Sequence, residues 1–227
     1  MQHSIHTEGF GVRLRPVELA DAAFIVWLRN LDFVKGRIGD SATDLAGQET
    51  WLEAWFEREG DYYFIAESLG GIPLGTIGIY DMLGTSAEQG RFIMRPEALA
   101  AVPSALLSQD LAFGVFGLTE LRASSVSTNV AVHSLTRKCG FKQVGTLRAA
   151  QTIGGQPVDL VRFLLKGEDW PAVRARLAPL ARVAEAQVLE WEKTQQRANQ
   201  PWVAVERPGP VSARTEGNRS PLYTFVL

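Results

Sequence analysis

Residues 129–141 read NVAVHSLTRKCGF, and their punctuation describes a short helix that stops where a strand begins. Asn129 suits a helix cap, because its side-chain oxygen can accept from the orphan N–H groups of a first turn. Leu135 points into a core, and Gly140 supplies the left-handed backbone that ends a helix. Phe141 then opens the next strand facing inward. A strand-like run, Leu121–Thr128, precedes this helix. Two more follow it, Phe141–Leu147 and Val158–Leu165, on either side of the turn pair Gly154-Gly155. Any strand–helix–strand unit can use such punctuation, so the order of the remaining elements decides what it belongs to.

Upstream, Phe10, Val12 and Leu14 alternate with Gly11, Arg13 and Arg15, which predicts a strand closed by Pro16. Asp21 caps a helix running through Arg29. Asp32–Gly47 is polar and glycine-marked and reads as a loop. A second helix carries Trp51, Leu52, Trp55 and Phe56 on one face. Tyr62–Ser68 and Pro73–Tyr80 read as strands joined by Leu69-Gly70-Gly71-Ile72, a hairpin signal. Glu88–Met94 is a further strand, antiparallel to its neighbour. A helix starts near Pro103, with Leu107, Leu111 and Val115 four apart. The order is strand, two helices, three strands, helix, strand, helix, two strands, with no internal repeat.

From Trp170 the character changes. Pro171 opens a helix with an apolar stripe of Val173, Leu177, Leu180 and Ala184, and Pro179 inside it predicts a kink. Beyond Asn199 the chain reads as irregular, with a short apolar end at Leu222–Leu227. The expected division is a domain over 1–167 and an appendage over 168–227. The stripe predicts docking on the domain or, preferably, a homodimer through the appendage.

Composition narrows the function classes. The chain has 227 residues, 46% of them hydrophobic, enough for one domain with a real core. A formal net charge of −2 gives no support to a nucleic-acid partner. The single cysteine, Cys139, excludes an intrachain disulfide and fits a cytoplasmic protein. The stretch MQHSIHTEGFG lacks the basic and apolar regions of a signal peptide. No apolar run reaches membrane-spanning length. Three scattered histidines and one cysteine build no typical metal site, so no metal is expected.

With the element order behind it, the Asn129–Phe141 segment resembles the GNAT superfamily of acyltransferases. Many members carry Asn, Leu at +6, Lys at +9 and Gly-Phe at +11 and +12; here these are Asn129, Leu135, Lys138, Gly140 and Phe141. The resemblance covers roughly residues 10–166. It implies an α/β fold whose mixed, mostly antiparallel central sheet of roughly six or seven strands is flanked by helices, with a C-terminal helical appendage. It also implies acetyl-CoA as co-substrate and a small-molecule amine as acceptor.

The resemblance also implies a site. The edge of Gly90–Arg95 would pair with the pantetheine arm, and the loop Leu99–Ala105 would hold the pyrophosphate on its N–H groups. Candidate cofactor residues are therefore Ile93, Met94, Arg95, Ala101, Val102, Ser104 and Ala105, with Asn129 and Thr136 from the later helix. Backbone N–H groups near Ile93–Arg95 would polarise the thioester carbonyl. The family's loop pattern survives here only at Ala105, and Pro103 stands where its glycine should be. The leaving-group tyrosine found at +7 of the Asn motif is Thr136 in this chain.

For the base, Glu88 in AEQGRF resembles the A-E-x-G stretch of ribosomal-protein and antibiotic-type members, and Asp81 is second. Solvated carboxylates at strand ends are the competing reading of both. His133 is expected to face solvent, and Cys139 to be structural. The segment VWLRNLDFV resembles the W-R-N-x-x-x-V of members that acetylate nucleotide-linked amino sugars. In that reading Arg29 faces a phosphate, while the polar end of an amphipathic helix is its competing reading. Trp51 is the substrate-side aromatic in the segment where that group carries a histidine and then an aromatic; here Glu49 and Thr50 stand in place of the histidine. The activity implied first is N-acetylation of a nucleotide-linked amino sugar. A protein N-terminal α-amine is the alternative acceptor, and a non-catalytic acyl-CoA-binding module the third reading.

Overall fold

The computed structural model describes residues 3–39, 44–195 and 200–204. Its strands are β1 (Thr7–Gly9), β2 (Val12–Pro16), β3 (Tyr62–Ser68), β4 (Pro73–Leu83), β5 (Ser86–Met94), β6 (Glu120–Val126), β7 (Lys142–Ile153) and β8 (Gln156–Lys166). The helices are α1 (Ala22–Arg29), α2 (Leu45–Phe56), α3 (Ala101–Asp110), α4 (Val130–Lys138) and α5 (Trp170–Lys193). The eight strands form one sheet in the order β1-β2-β3-β4-β5-β6-β8-β7. Hairpins make their neighbours antiparallel; β5 and β6, joined by the crossover helix α3, are parallel. Gly154 and Gly155 take the β7–β8 turn with φ of 56° and 75°, angles that a two-residue hairpin loop demands.

Alternating side chains feed two cores, one on each face of the sheet. Phe64, Phe92 and Met94 join α3, α4 and α5, while Tyr63, Ile65 and Ile93 join α1 and α2. Helix α5 belongs to the first core: Leu177, Ala181 and Val188 are fully buried there, and the Arg174 guanidinium forks onto Asp110 of α3 at 2.7 and 3.0 Å. Most of the stripe that the sequence offers for self-association is therefore covered within the chain. Leu180 is the exception, at 44% exposed, because the buried row runs through Ala181 instead. Pro179 lies on the exposed side of α5, as does Ala175, whose carbonyl it leaves without the usual helical donor, and α5 still runs as one helix from Trp170 to Lys193.

Several local expectations need correction. The reading of 10–15 as one strand misses a turn, since Phe10 and Gly11 have φ of 54° and 76° and reverse the chain between β1 and β2. The loop expected over 32–47 ends early: Asp44 accepts from the Gly47 N–H at 2.7 Å and starts α2 at Leu45. Residues 101–105, expected as a loop, are already the first turn of α3. The tail expectation at 222–227 lies outside the described residues.

Gly140 ends α4 with φ of 96°, and a Cβ there would stand 2.5 Å from a Val173 methyl of α5. Gly140→Ala should therefore destabilise the protein by roughly 1–3 kcal/mol in denaturant unfolding. Adding Val173→Ala should recover part of that loss. A variant as stable as the parent would show that α5 is not pressed against α4.

Candidate active site

The site begins with a mismatch of one residue. Between the pairs Thr76↔Ile93 and Gly78↔Gly90, one residue of β4 faces two of β5. Arg91 is the surplus residue, at φ 50°, and Thr76 Oγ1 donates to its carbonyl at 2.7 Å. A bulge of this kind bends and twists its strand. The parallel ladder between β5 and β6 runs only from Ser86↔Glu120 to Glu88↔Arg122. Beyond that point the two strands fork.

Glu88 sits at the vertex of the fork, across from Tyr80 in the β4–β5 register and thus on the same face as α1 and α2. It is 7% exposed, and its Oε1 has no partner among the described residues. Burial pushes its carboxyl up from 4.5 to about 7, against the pull of a Ser124 hydrogen bond and the Arg122 charge. Tyr80 is buried beside it, and burial raises its phenol well above 10. Asp81 is exposed at φ 50°; its carbonyl accepts from Arg122 Nη2 at 2.9 Å, and its charge adds to the rise of Glu88.

The same face holds a guanidinium among rings. Arg91 lies 4.2 Å from the Tyr80 ring, 5.1 Å from Tyr63 and 5.5 Å from Trp51. Its two nitrogens meet both oxygens of Asp61, Nη2 at 2.8 Å. Trp51 also stacks on Trp55 at 6.4 Å, which fixes the wall it presents. Arg29 closes α1 half-buried. Sequence reading passed over Tyr80 and missed Arg91, Asp61 and Tyr63. The available signal was an arginine next to the apolar run Phe92–Met94, which has to find a partner when buried.

At the open end of β5, Ile93, Met94 and Arg95 are all buried. The Arg95 N–H is spent on the Leu74 carbonyl at 2.8 Å, so strand alternation turns the Met94 N–H toward the fork. Of the N–H groups expected near Ile93–Arg95, that of Arg95 is thus unavailable to a thioester. The Arg95 side chain donates to Glu97 at 2.7 Å and to Gln200 at 2.8 Å, and lies 4.9–5.2 Å from the rings of Trp27, Trp191 and Trp202.

On the other face, α3 begins at Ala101 after Leu99 at φ 53°, with no side chain capping it. Ala101 and Val102 are half-buried, whereas Ser104 and Ala105 are buried. Asn129 caps α4 through a 3.4 Å bond from the Val132 N–H. Thr136, two turns along α4, is 2% exposed, and neither its hydroxyl nor that of Ser104 has a partner among the described residues. His133 does not face solvent: it is 6% exposed, with Nε2 3.1 Å from the Val126 carbonyl. Burial pushes the Cys139 thiol up to about 12, which leaves it unreactive. Two surface cavities of about 420 and 310 Å³ lie away from the fork and include none of these residues.

Residues 12–142 match the family model described as acetyltransferase (GNAT) domain, over half of the chain. The protein belongs to the GNAT acetyltransferases. Solved structures agree on the fold. A GCN5-related N-acetyltransferase from Brucella melitensis superposes with a TM-score of 0.69 at 17% identity, covering 79% of this chain and 86% of its own. A mutant of the spermidine N-acetyltransferase SpeG from Vibrio cholerae gives 0.63 at 19% identity, covering 71% and 97%. Apo FdhC, a nucleotide-linked sugar GNAT, gives 0.64 at 26% identity, covering 78% and 98%. No curated protein sequence matches the chain.

The raised Glu88 carboxyl makes a stability prediction. Between pH 4.5 and about 7 the folded protein holds a proton that the unfolded chain has released, so stability falls as pH rises through that window. Glu88→Gln removes the buried charge and should stabilise the protein by up to about 3 kcal/mol at pH 8, with the gain vanishing near pH 4. Thermal unfolding at the two pH values measures it. An equal effect at both would deny the raised carboxyl.

Proposed function

We propose that this chain is an acetyl-CoA-dependent N-acetyltransferase for a primary amine of low pKa, with an amino sugar on a nucleotide carrier as its first substrate. The observation that carries the reading is the buried Glu88 carboxyl at the fork, raised to about 7, with one oxygen unpartnered among the described residues. A base of that strength suits an ammonium that gives up its proton near neutrality. Neutralising a lysine at pH 7 costs about 4–5 kcal/mol, whereas an α-amine of pKa about 7.7 needs only about 1. Amino sugars lie in the same low range.

The residues suit the co-substrate. The fork leaves room between two strands, α3 presents an N-terminus without a side-chain cap, and the Ser104 and Thr136 hydroxyls await partners. Pro103 withholds one N–H from the first turn. When bound, coenzyme A supplies an activated thioester and a thiolate leaving group. Glu88 takes the ammonium proton on the α1–α2 face. The amine nitrogen then bonds to the acyl carbon as the C–S bond breaks. The Thr136 hydroxyl donates to the departing thiolate, and the second proton that the nitrogen sheds passes to that sulfur, directly or through water, so that a neutral amide and a free thiol result. A thiol of pKa about 8.5 leaves tolerably as thiolate without a strong acid beside it.

Supporting a sugar acceptor are the aromatic wall of Trp51, Tyr63 and Tyr80 and the likeness to FdhC. A polyamine fits less well. Arg29, Arg91 and Arg95 are on that face, and Asp61 is already tied to Arg91. A protein α-amine shares the low pKa and stands as the second reading.

The test compares acetyl transfer to a nucleotide-linked 4-amino sugar, a peptide α-amine and a blocked lysine peptide at pH 7 and pH 9. The sugar should react fastest and the lysine peptide poorly at pH 7. Glu88→Gln should lower the pH 7 rate more than the pH 9 rate. Efficient lysine acetylation at pH 7 would defeat the reading, and an unchanged pH profile would remove Glu88 as base.

A further inference from the structure

The outward face of α5 carries apolar residues where a surface helix ordinarily carries charge. Ala172, Pro179 and Ala186 stand one heptad apart along it, Val183 lies on the adjacent row, and Leu180 and Leu189 border them; all are exposed. Val183, near the middle of the helix, is 65% exposed. This is not the stripe that the sequence offers for self-association, since Val173 and Leu177 point the other way, into the core shared with α3 and α4. Single exposed apolar side chains need no explanation, but a continuous row of them marks an interaction surface.

The charges of α5 say what covers the row. Arg174 and Arg176 lie toward its start, and Glu190 and Glu192 in its last turn. That order opposes the dipole of the helix itself, which favours carboxylates at the N-terminus and cations at the C-terminus. Arg174 and Glu192 are used within the chain, by Asp110 and by Ser68 and Gly70. Arg182 and Glu185 stand to the side of the row, one turn apart. Arg176 and Glu190 flank the row itself, one heptad to either side of Val183 and therefore on its face. Both are exposed: Arg176 donates to the Lys138 carbonyl at 3.2 Å, and Glu190 meets Lys193 at 2.8 Å in a surface pair that holds it weakly.

We infer that this face is the contact surface for a second copy of the chain, with the two α5 helices antiparallel and Val183 on the two-fold axis. Such a contact sets each residue before Val183 against the residue equally far after it on the partner. Val183 packs on its own symmetry mate, Pro179 beside the partner's Ala186, and Arg176 against the partner's Glu190, the last pair formed twice by symmetry. The small side chains of Ala172, Pro179 and Ala186 let the two axes approach to about 8 Å, the close end of the helix-packing range. Parallel packing would set arginine against arginine and glutamate against glutamate, so the charges select the antiparallel arrangement. One helix per copy makes a contact smaller than an obligate interface, which gives a dimer in exchange with its monomer at micromolar concentration.

Sedimentation equilibrium of the full chain from micromolar to submillimolar concentration tests this, and the mass should pass from monomer to dimer across that range. Val183→Glu brings two carboxylates together at the axis and should raise the dimer Kd at least about tenfold. Arg176→Glu and Glu190→Arg each turn two opposite pairs into like pairs and should raise it about three- to tenfold. The two combined restore the pairing with its signs exchanged and should bring Kd back toward that of the parent. All three positions are exposed, so each variant should unfold as cooperatively as the parent. A chain that stays monomeric throughout would overturn the inference, as would a dimer indifferent to Val183→Glu. A double exchange as weak as the single variants would overturn it too. None of these outcomes touches the proposed acetyl transfer.

Discussion

The hydrogen bond from Thr76 Oγ1 to the Arg91 carbonyl holds one residue more in β5 than in the stretch of β4 it faces. From that surplus residue the site follows. The bulge bends β5 away from β6 past Glu88, and the fork is the consequence. It also throws Arg91 onto the α1–α2 face, where Asp61 neutralises it and three rings surround it. Gly78 leaves space for that side chain, since a Cβ there would sit 3.3 Å from Arg91 Nη1. Breaking a buried pair of this kind by removing one partner typically costs about 3–5 kcal/mol, because the other charge is stranded. The ion pair is therefore better understood as locking the bulge than as a stock of free charge for a substrate.

A second set of constraints comes from the end of α5. Glu192 accepts from the Gly70 N–H at 2.6 Å and from the Ser68 hydroxyl, tying α5 to the β3–β4 turn. One residue earlier, Trp191 lies against the Arg95 guanidinium, which Gln200 and Trp202 cover from beyond the helix. Trp202 in turn packs against Phe24 and Trp27 of α1 at 4.7 and 5.0 Å between ring centroids. The segment after residue 167 thus helps to build the end of β5 next to the fork, and α5 shares one core with the elements before it. GNAT family membership is carried by residues 12–142. What lies beyond them shapes the surroundings of Arg95 in this particular chain.

The sequence by itself determined the order and kind of most elements, because periodicity and punctuation are local. Apolar spacing marked β3 and α4, and Asn129 and Gly140 bracket α4 through its own backbone N–H groups and a left-handed φ. It erred where a local pattern had two solutions: alternation ran on through the Phe10–Gly11 turn, and polar residues hid the first turn of α2. Glu88 stood out as a candidate, but a carboxylate at a strand end is ordinarily solvated. Only the tertiary structure buries it against β6 and raises its carboxyl to about 7. The same holds for His133, whose helical position suggested solvent until β6 and β8 closed over it. The bulge and the ion pair of Asp61 with Arg91 arise from contacts between residues far apart in the chain. Burial and register are set by the whole packed sheet, and no window of sequence contains them.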